Sequence, residues 1–120
     1  MKTEAEAASL PVWDRQGMLA RLMDDQDLAQ IITDTFLADI PQQIQVLKQM
    51  VESGNAQGAE LRAHTIKGAA ALMGGEQVRD MAFRMEKNFK AQDLANAGAH
   101  IAELETRFQK LKAVLNCIQQ

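Results

Sequence analysis

Apolar residues recur at spacings of three and four along most of the chain, a pattern typical of amphipathic helices that bury one side. The longest series follows the acidic cluster at 24–27, and carboxylates are favoured at a helix start by the helix dipole. Its eight apolar members are Leu28, Ile31, Ile32, Phe36, Ile40, Ile44, Leu47 and Val51. The turn-forming residues Ser53, Gly54 and Asn55 then end the series, so the pattern predicts one long helical segment.

Pro41 lies inside this long series. A proline removes one helical hydrogen bond and clashes with the carbonyl four residues earlier. Two helices broken at Ile40 and one kinked helix are the two alternatives. Because the apolar register continues across Pro41, we favour the single kinked helix.

Three further helices are predicted around this one. Asn55 is a helix-capping residue type, and the helix that it begins stops at Gly74 and Gly75. The next helix has an apolar side made of Val78, Met81, Ala82, Met85 and Phe89. The last helix is expected to begin near Asp93, and its apolar side consists of Ile101, Leu104, Phe108, Leu111, Leu115 and Ile118.

A shorter helix is predicted near the N-terminus, where Asp14 can cap a segment carrying Met18, Leu19 and Leu22. We expect the single tryptophan, Trp13, to anchor this helix to the rest; a role in binding is the alternative. No stretch alternates with the period of a strand. The pattern therefore predicts an all-α fold, an antiparallel up-down four-helix bundle with a short additional N-terminal helix.

Composition and charge fit a single small domain. The chain has 120 residues, 47% of them apolar, and a net charge of −3, so nothing points to nucleic acid or an anionic membrane surface. We expect residues 1–11 to be a flexible leader or an interdomain linker and residues 12–120 to form the domain. The apolar stretches are too short for direct membrane insertion, and the N-terminus lacks the pattern of a secretory signal. The single cysteine, Cys117, fits a reducing cytoplasm.

The candidate chemistry is concentrated in the run 63–70, around His64. On a helix, Glu60, Lys67, Gly68 and Ala71 fall within about 60° of His64 and share its side. The opposite side is apolar, so this helix has a packing side and His64 lies outside it; the apolar residues there are Ile66, Ala69 and Met73. A histidine is largely neutral near pH 7, so a ring nitrogen is a usable nucleophile. A glycine inside a helix costs about 1 kcal/mol relative to alanine, and close approach by a partner would explain it. The alternative is an ordinary exposed histidine beside a local defect.

Five short runs in this chain resemble, in order, the landmarks of the histidine phosphotransfer (HPt) domain of bacterial multistep phosphorelays. The resemblance extends from about Val12 to Lys90, and the run around His64 is its specific part. Ile66 stands where the family most often has leucine, which is a conservative change. The five runs are Val12-Trp13-Asp14, Phe36-Leu37-Ala38-Asp39-Ile40-Pro41, 63–70, Gly74-Gly75 and Arg84-Met85-Glu86.

The resemblance implies a role for each residue beside His64. His64 would be the phosphoacceptor, through its Nε2 atom, and Lys67 would neutralise and orient the phosphoryl oxygens. Gly68 and Ala71 would let a partner pack closely. Among the remaining polar residues, we expect Glu60, Arg84 and Lys87 to join the docking surface; a merely solvated face is the alternative for the two basic residues of the fourth predicted helix.

Other chemistries lack the residues that they need. The two histidines, His64 and His100, lack the spacing of a metal pair, and no glycine-rich run ends in the Gly-Lys-Ser/Thr of a phosphate-binding loop. We therefore predict a carrier with histidine phosphotransfer activity, without a kinase activity, an ATP site, a cofactor or a metal of its own. The phosphoryl group would come from a partner that already holds it.

The resemblance names that partner as a receiver domain with an aspartyl phosphate and Mg²⁺, from a hybrid sensor kinase, a response regulator or both. We expect a cytoplasmic monomer. It could be free-standing or the C-terminal module of a membrane-anchored hybrid sensor kinase, and the linker-like leader favours the module.

Two competing interpretations stay open. One is the dimerising helix of a sensor kinase, but such helices usually follow histidine with an acidic residue and have a proline a few positions later. This chain has Thr65 after His64 and Gly68 near the proline position. The other is a non-catalytic helical adaptor that binds a signalling partner, for which His64 would be replaceable.

Overall fold

The architecture is a bundle of helices, seen in a computed structural model that describes residues 10–119 and the side chains through Cys117. These residues form five α-helices and no strand. The helices are α1 Arg15–Arg21, α2 Gln26–Glu52, α3 Ala56–Met73, α4 Glu76–Lys90 and α5 Ala97–Gln119. The helices α2, α3 and α4 each pack on the helix that follows, and α5 also contacts α2. The short helix α1 lies against α2 and α3. The prediction of an all-α four-helix bundle with an extra N-terminal helix is confirmed.

The helix boundaries follow local capping chemistry. The Asp25 carboxylate accepts a hydrogen bond from the Leu28 amide at 3.0 Å and begins α2. The Asn55 side chain accepts one from the Gly58 amide at 2.8 Å and begins α3. Because these side chains satisfy amides that have no partner within the helix, they favour a helix start at these positions. Between the two caps, α2 continues through Pro41 as a single helix, as the unbroken apolar register predicts.

The core is formed by the predicted apolar sides of α3, α4 and α5, together with most of the predicted side of α2. Two members of the α2 series are exceptions, since Leu28 and Ile31 are 40% and 61% exposed. Ala29 and Thr33 occupy the inward positions there and line a pocket against α1 and α5. The buried row of α2 thus continues through small residues, which a search for large apolar side chains passes over.

The predicted start of the last helix near Asp93 was wrong, since α5 begins at Ala97. The Asp93 carboxylate accepts a hydrogen bond from the Ala95 amide at 3.0 Å, two residues further on. This local bond is an Asx turn, which competes with helix formation. Two other predictions fall outside the described residues: the buried position of the Ile118 side chain, and the flexible leader over residues 1–9.

The short helix α1 is fastened to the C-terminal end of α3, and this confirms the predicted anchoring role of Trp13. The Trp13 indole N–H donates to the Met73 carbonyl at 2.9 Å, and the Asp14 amide donates to the Gly74 carbonyl at 2.8 Å. Gly74 has a φ of 84°, and a Cβ atom there would lie 2.4 Å from the Asp14 carbonyl oxygen. Glycine is therefore required at this position both for the backbone conformation and for the close approach of α1.

A buried ion-pair network joins α4 to α5. Arg107 of α5 contacts Asp80 of α4 at 3.3 Å and donates to the Gln77 carbonyl at 3.0 Å. The side chains of Arg107 and Asp80 are 7% and 5% exposed. Arg84 also contacts the Asp80 carboxylate, at 3.2 Å. Because this carboxylate faces two guanidinium groups away from bulk water, it is the main electrostatic link between the two helices.

Candidate functional site

His64 lies on the solvent side of α3, opposite the residues that pack into the bundle. The buried positions of α3 are Ala59, Ala63, Ile66, Ala70 and Met73. The His64 side chain is 61% exposed. The helix therefore holds the imidazole outside the core, where another protein can reach it.

A carboxylate from the neighbouring helix α4 bridges the two residues of α3 that the sequence singles out. One oxygen of Glu86, Oε2, lies 2.7 Å from His64 Nδ1, and the other, Oε1, lies 2.6 Å from Lys67 Nζ. The Glu86 and Lys67 side chains are 18% and 26% exposed. Two charge-assisted contacts to one largely covered carboxylate restrict the positions of both partners.

The ionisation of Glu86 determines which nitrogen of His64 is available. Burial acts to raise the pKa of Glu86, but hydrogen bonds from Lys67 and His64, together with their positive charge, lower it below the ordinary value of 4.5. The carboxylate is therefore ionised near neutral pH and can only accept hydrogen bonds. A neutral imidazole in this contact carries its proton on Nδ1, which leaves the lone pair on Nε2.

An aromatic ring lies on the Lys67 side of the cluster. Phe83 of α4 is 39% exposed. The Lys67 ammonium nitrogen lies 5.3 Å from the centroid of its ring, and that of Lys87 lies 4.4 Å from it. Lys67 and Lys87 thus contact the same aromatic ring.

The other residues expected at the docking surface are distributed unevenly. Glu60 lines an open groove with His64 and Glu86. Gly68 is exposed and Ala71 is half-buried on the same side of α3. Their docking roles remain predictions.

Arg84 contacts a carboxylate of its own helix, and its expected docking role remains a prediction. It contacts Asp80, the carboxylate that also contacts Arg107 of α5. Positions 84 and 86 of a helix are about 200° apart, so they point to opposite sides of α4. Lys87 lies about 60° from Arg84 and about 100° from Glu86 around the helix, and its ammonium group lies over the Phe83 ring.

Glu86 is the residue whose role the sequence analysis missed, although it belongs to one of the family landmarks. A usable signal was present in the turn at Gly74 and Gly75. A short turn makes α3 and α4 antiparallel, so residues at similar distances from it face each other. His64 lies ten residues before Gly74 and Glu86 eleven after Gly75. That symmetry places Glu86 opposite His64 once the two helices are paired.

Among residues 10–119, no three His, Cys, Asp or Glu side chains come together as a group that could hold a metal ion. None of the helices described has both the length and the apolar character that crossing a bilayer requires.

Gly68→Gln is expected to stabilise the fold and to impair phosphoryl uptake from a partner. A Cβ at Gly68 would meet nothing within 4 Å, and replacing a helical glycine adds about 0.5–1 kcal/mol of stability. The added side chain would occupy the surface beside His64. Urea unfolding and the rate of phosphoryl uptake measure the two effects.

Gly98→Gln is the matched control, because Gly98 is an equally open glycine in α5. We expect this variant to take up phosphoryl groups at the wild-type rate. Unimpaired uptake by Gly68→Gln would contradict the idea that the glycine makes room for a partner.

Comparison with known proteins places these features in a family. The sequence model of the family described as Hpt domain matches residues 31–114. The phosphorelay intermediate protein rdeA of Dictyostelium discoideum is 25% identical over 85 residues, which are 71% of this chain and 34% of that protein. The chain thus spans about a third of the length of this curated relative.

Two solved structures have the same fold. The histidine-containing phosphotransfer protein B (HptB) from Pseudomonas aeruginosa PAO1 superimposes with a TM-score of 0.85 at 23% identity, over 93% of this chain and 97% of HptB. The HPT domain of a sensor hybrid histidine kinase from Shewanella gives a TM-score of 0.74 at 15% identity, over 89% of this chain and 92% of that domain. At these identities the two structures support the fold.

Proposed function

Because this chain belongs to the Hpt domain family, we propose that it carries phosphoryl groups in a multistep phosphorelay. It accepts the group from a receiver-domain aspartate onto His64 and passes it to the aspartate of another receiver. The observation that carries this proposal is the exposed imidazole whose Nδ1 contacts Glu86 at 2.7 Å. That contact leaves Nε2 as the nucleophilic atom on the accessible side of the bundle.

The transfer step needs only groups that the chain and a receiver supply. The Nε2 lone pair of His64 attacks the phosphorus of the aspartyl phosphate and forms a P–N bond. The P–O bond to the aspartate breaks, and its electron pair returns to the aspartate carboxylate. The imidazole keeps its Nδ1 proton and becomes cationic as the new bond forms. Glu86, at 2.7 Å from Nδ1, offsets this developing charge.

Lys67 is proposed to stabilise the phosphoryl oxygens during this step. Its ammonium group lies 2.6 Å from Glu86, so it is held beside the imidazole before a partner arrives. Positioning and neutralisation of charge are the main sources of catalysis in phosphoryl transfer. Onward transfer is the reverse reaction: an aspartate oxygen of the second receiver attacks the phosphorus, the P–N bond breaks, and its electron pair returns to Nε2, so that the imidazole leaves in its neutral form.

Mg²⁺ is assigned to the receiver domain, and this chain contributes the histidine, the lysine and the docking surface around them. The receivers would belong to a hybrid sensor kinase, a response regulator or both. We propose a monomer that acts in the cytoplasm, an assignment with which the unpaired Cys117 thiol is compatible.

The test of the proposed function is phosphoryl transfer to the wild-type chain from a receiver domain carrying radiolabelled aspartyl phosphate, with Mg²⁺ present. Label that is acid-labile and base-stable, and that appears only with the receiver, is the expected result. A parallel incubation with labelled ATP alone should leave the chain unlabelled. Labelling by ATP would contradict the carrier function, and binding of a receiver without any label would favour the non-catalytic adaptor.

Glu86→Ala is expected to slow phosphoryl uptake by about tenfold. A hydrogen bond to a charged group is worth about 1.5–3 kcal/mol, and about 1.4 kcal/mol corresponds to a tenfold change in rate. The loss arises because the Nδ1 proton and the cationic product no longer have an acceptor. Single-turnover uptake from the charged receiver measures it.

Glu86→Gln is the matched control, because its amide oxygen can still accept from Nδ1 but carries no charge. Its uptake rate should lie between those of the wild type and Glu86→Ala. The lowered pKa of Glu86 gives a second readout. Above the ordinary pKa of 4.5, wild type should unfold less readily than Glu86→Gln, and this difference should vanish as the pH falls through the lowered pKa. Equal uptake by all three proteins would contradict the role of Glu86.

A further inference from the structure

Phe83 is an aromatic residue on the surface of α4 that neither the core nor the transfer step accounts for. Its side chain is 39% exposed, whereas the other three phenylalanines, Phe36, Phe89 and Phe108, are at most 4% exposed. Phe83 is therefore the one phenylalanine of the four that is not buried in the core. What surrounds the ring is charged, since Lys67 and Lys87 both lie over it, at 5.3 Å and 4.4 Å from the centroid.

Both distances are within the range of a cation–π interaction, in which the negative face of the ring attracts an ammonium group. Lys67 comes from α3 and Lys87 from α4. Each ammonium group is attracted to the same ring. Phe83 therefore links the two lysines across the interface between α3 and α4.

Glu86 and Phe83 both contact Lys67, but only Glu86 carries a formal charge. Glu86 contributes one negative charge, which offsets one of the two lysine charges when His64 is neutral. Phe83 holds both ammonium groups without a formal charge of its own. With a neutral imidazole, the two ammonium groups and the one carboxylate leave a net charge of +1 beside the nitrogen that is to receive a phosphoryl group.

We propose that Phe83 is a positioning residue for phosphoryl transfer: it holds Lys67 and Lys87 as a pair of ammonium groups that bind the phosphoryl oxygens at His64. This inference rests on the proposed function and adds Lys87 to the groups that neutralise the transferred phosphoryl group. In this arrangement Lys67 is positioned by Glu86 and Phe83, and Lys87 by Phe83.

The test compares Phe83→Leu with Phe83→Trp in transfer from a receiver domain carrying radiolabelled aspartyl phosphate. Leucine keeps an apolar side chain and removes the ring, whereas tryptophan restores a ring that attracts cations. We expect Phe83→Leu to lower kcat by about three- to tenfold with little change in KM. Phe83→Trp should restore most of the wild-type kcat. Far-ultraviolet circular dichroism should be the same for all three proteins, because the ring lies at the surface.

Lys87→Ala tests the same arrangement without altering Phe83. It should lower kcat, whereas Lys90→Ala, the control on the next turn of α4, should not. Combining Phe83→Leu with Lys87→Ala should lower kcat by less than the product of the two single effects, because Phe83 acts in part through Lys87.

Three outcomes would overturn the inference: wild-type kcat in Phe83→Leu, failure of Phe83→Trp to restore a lowered kcat, or an equal effect of Lys87→Ala and Lys90→Ala. A change confined to KM would overturn it as well, since it would mark Phe83 as a docking residue. Absence of label on the wild-type chain would instead contradict the proposed function itself, so the two failures are distinguishable.

Discussion

His64→Gln is expected to abolish phosphoryl uptake while leaving the fold unchanged. The side chain is 61% exposed and its contact within the cluster is with Glu86, to which a glutamine amide can still donate. Glutamine has no nucleophilic ring nitrogen, so no P–N bond can form. An exposed substitution of this kind changes the free energy of unfolding by no more than about 0.5 kcal/mol. Labelling from a charged receiver and urea unfolding measure the two properties.

The control for this variant is His100→Gln, which changes the second histidine of the chain. His100 of α5 lies 3.3 Å from the Asn88 amide nitrogen, between Nδ1 and Nδ2, and takes no part in the His64 cluster. The His100→Gln variant should accept label at the wild-type rate. Label retained by His64→Gln would contradict the assignment of the phosphoacceptor, and unfolding of that variant would mark His64 as a structural residue.

Asp80→Ala is expected to have the largest effect on stability, a loss of about 3–5 kcal/mol in the free energy of unfolding. Its carboxylate contacts Arg107 and Arg84, and the Arg107 side chain is only 7% exposed. Without the carboxylate, Arg107 would lose its buried partner and keep its 2.9 Å contact with Glu103, whose side chain is 48% exposed. Removing one partner of a buried pair costs more than the pair contributes in net stability. Urea-induced unfolding followed by circular dichroism measures the loss.

Glu76→Ala is the matched control on the same helix. Glu76 also contacts an arginine, Arg79, at 2.8 Å, but these two side chains are 21% and 28% exposed. Pairs with access to water contribute at most about 1 kcal/mol. Equal losses in the two variants would contradict the idea that burial makes the Asp80 contact important. Asp80→Ala that remains folded should still accept label on His64, since Asp80 contacts Arg107 of α5, whereas Glu86 contacts His64 of α3.

The local pattern of residues was sufficient for most of the fold. The helix-capping residues Asp14, Asp25 and Asn55 occupy the cap positions that their chemistry favours. The continuous register across Pro41 correctly predicted one helix. Two predictions were wrong: Leu28 and Ile31 are exposed instead of buried, and the last helix does not begin near Asp93. In α2, the small residues Ala29 and Thr33 take the inward positions. At Asp93, an Asx turn delays the start of the helix.

The candidate site also has one part that the sequence predicted and another part that depends on how the helices pack. The wheel around His64 correctly put this residue on the exposed side of its helix, because a helix has a constant rotation per residue. The rotation does not say which residues of another helix will face that side. Glu86 and Phe83 join the site only because α4 packs on α3 in one particular orientation.

The division has a physical cause. Capping, helical periodicity and the position of His64 on the exposed side of α3 depend on interactions within a few residues, so the order of residues decides them. The partner of His64 Nδ1 and the partner of Lys67 are one carboxylate, about twenty residues away in the sequence. Those contacts arise from the packing of α3 against α4, which is set by the shape of the shared core, and only the tertiary structure decided them.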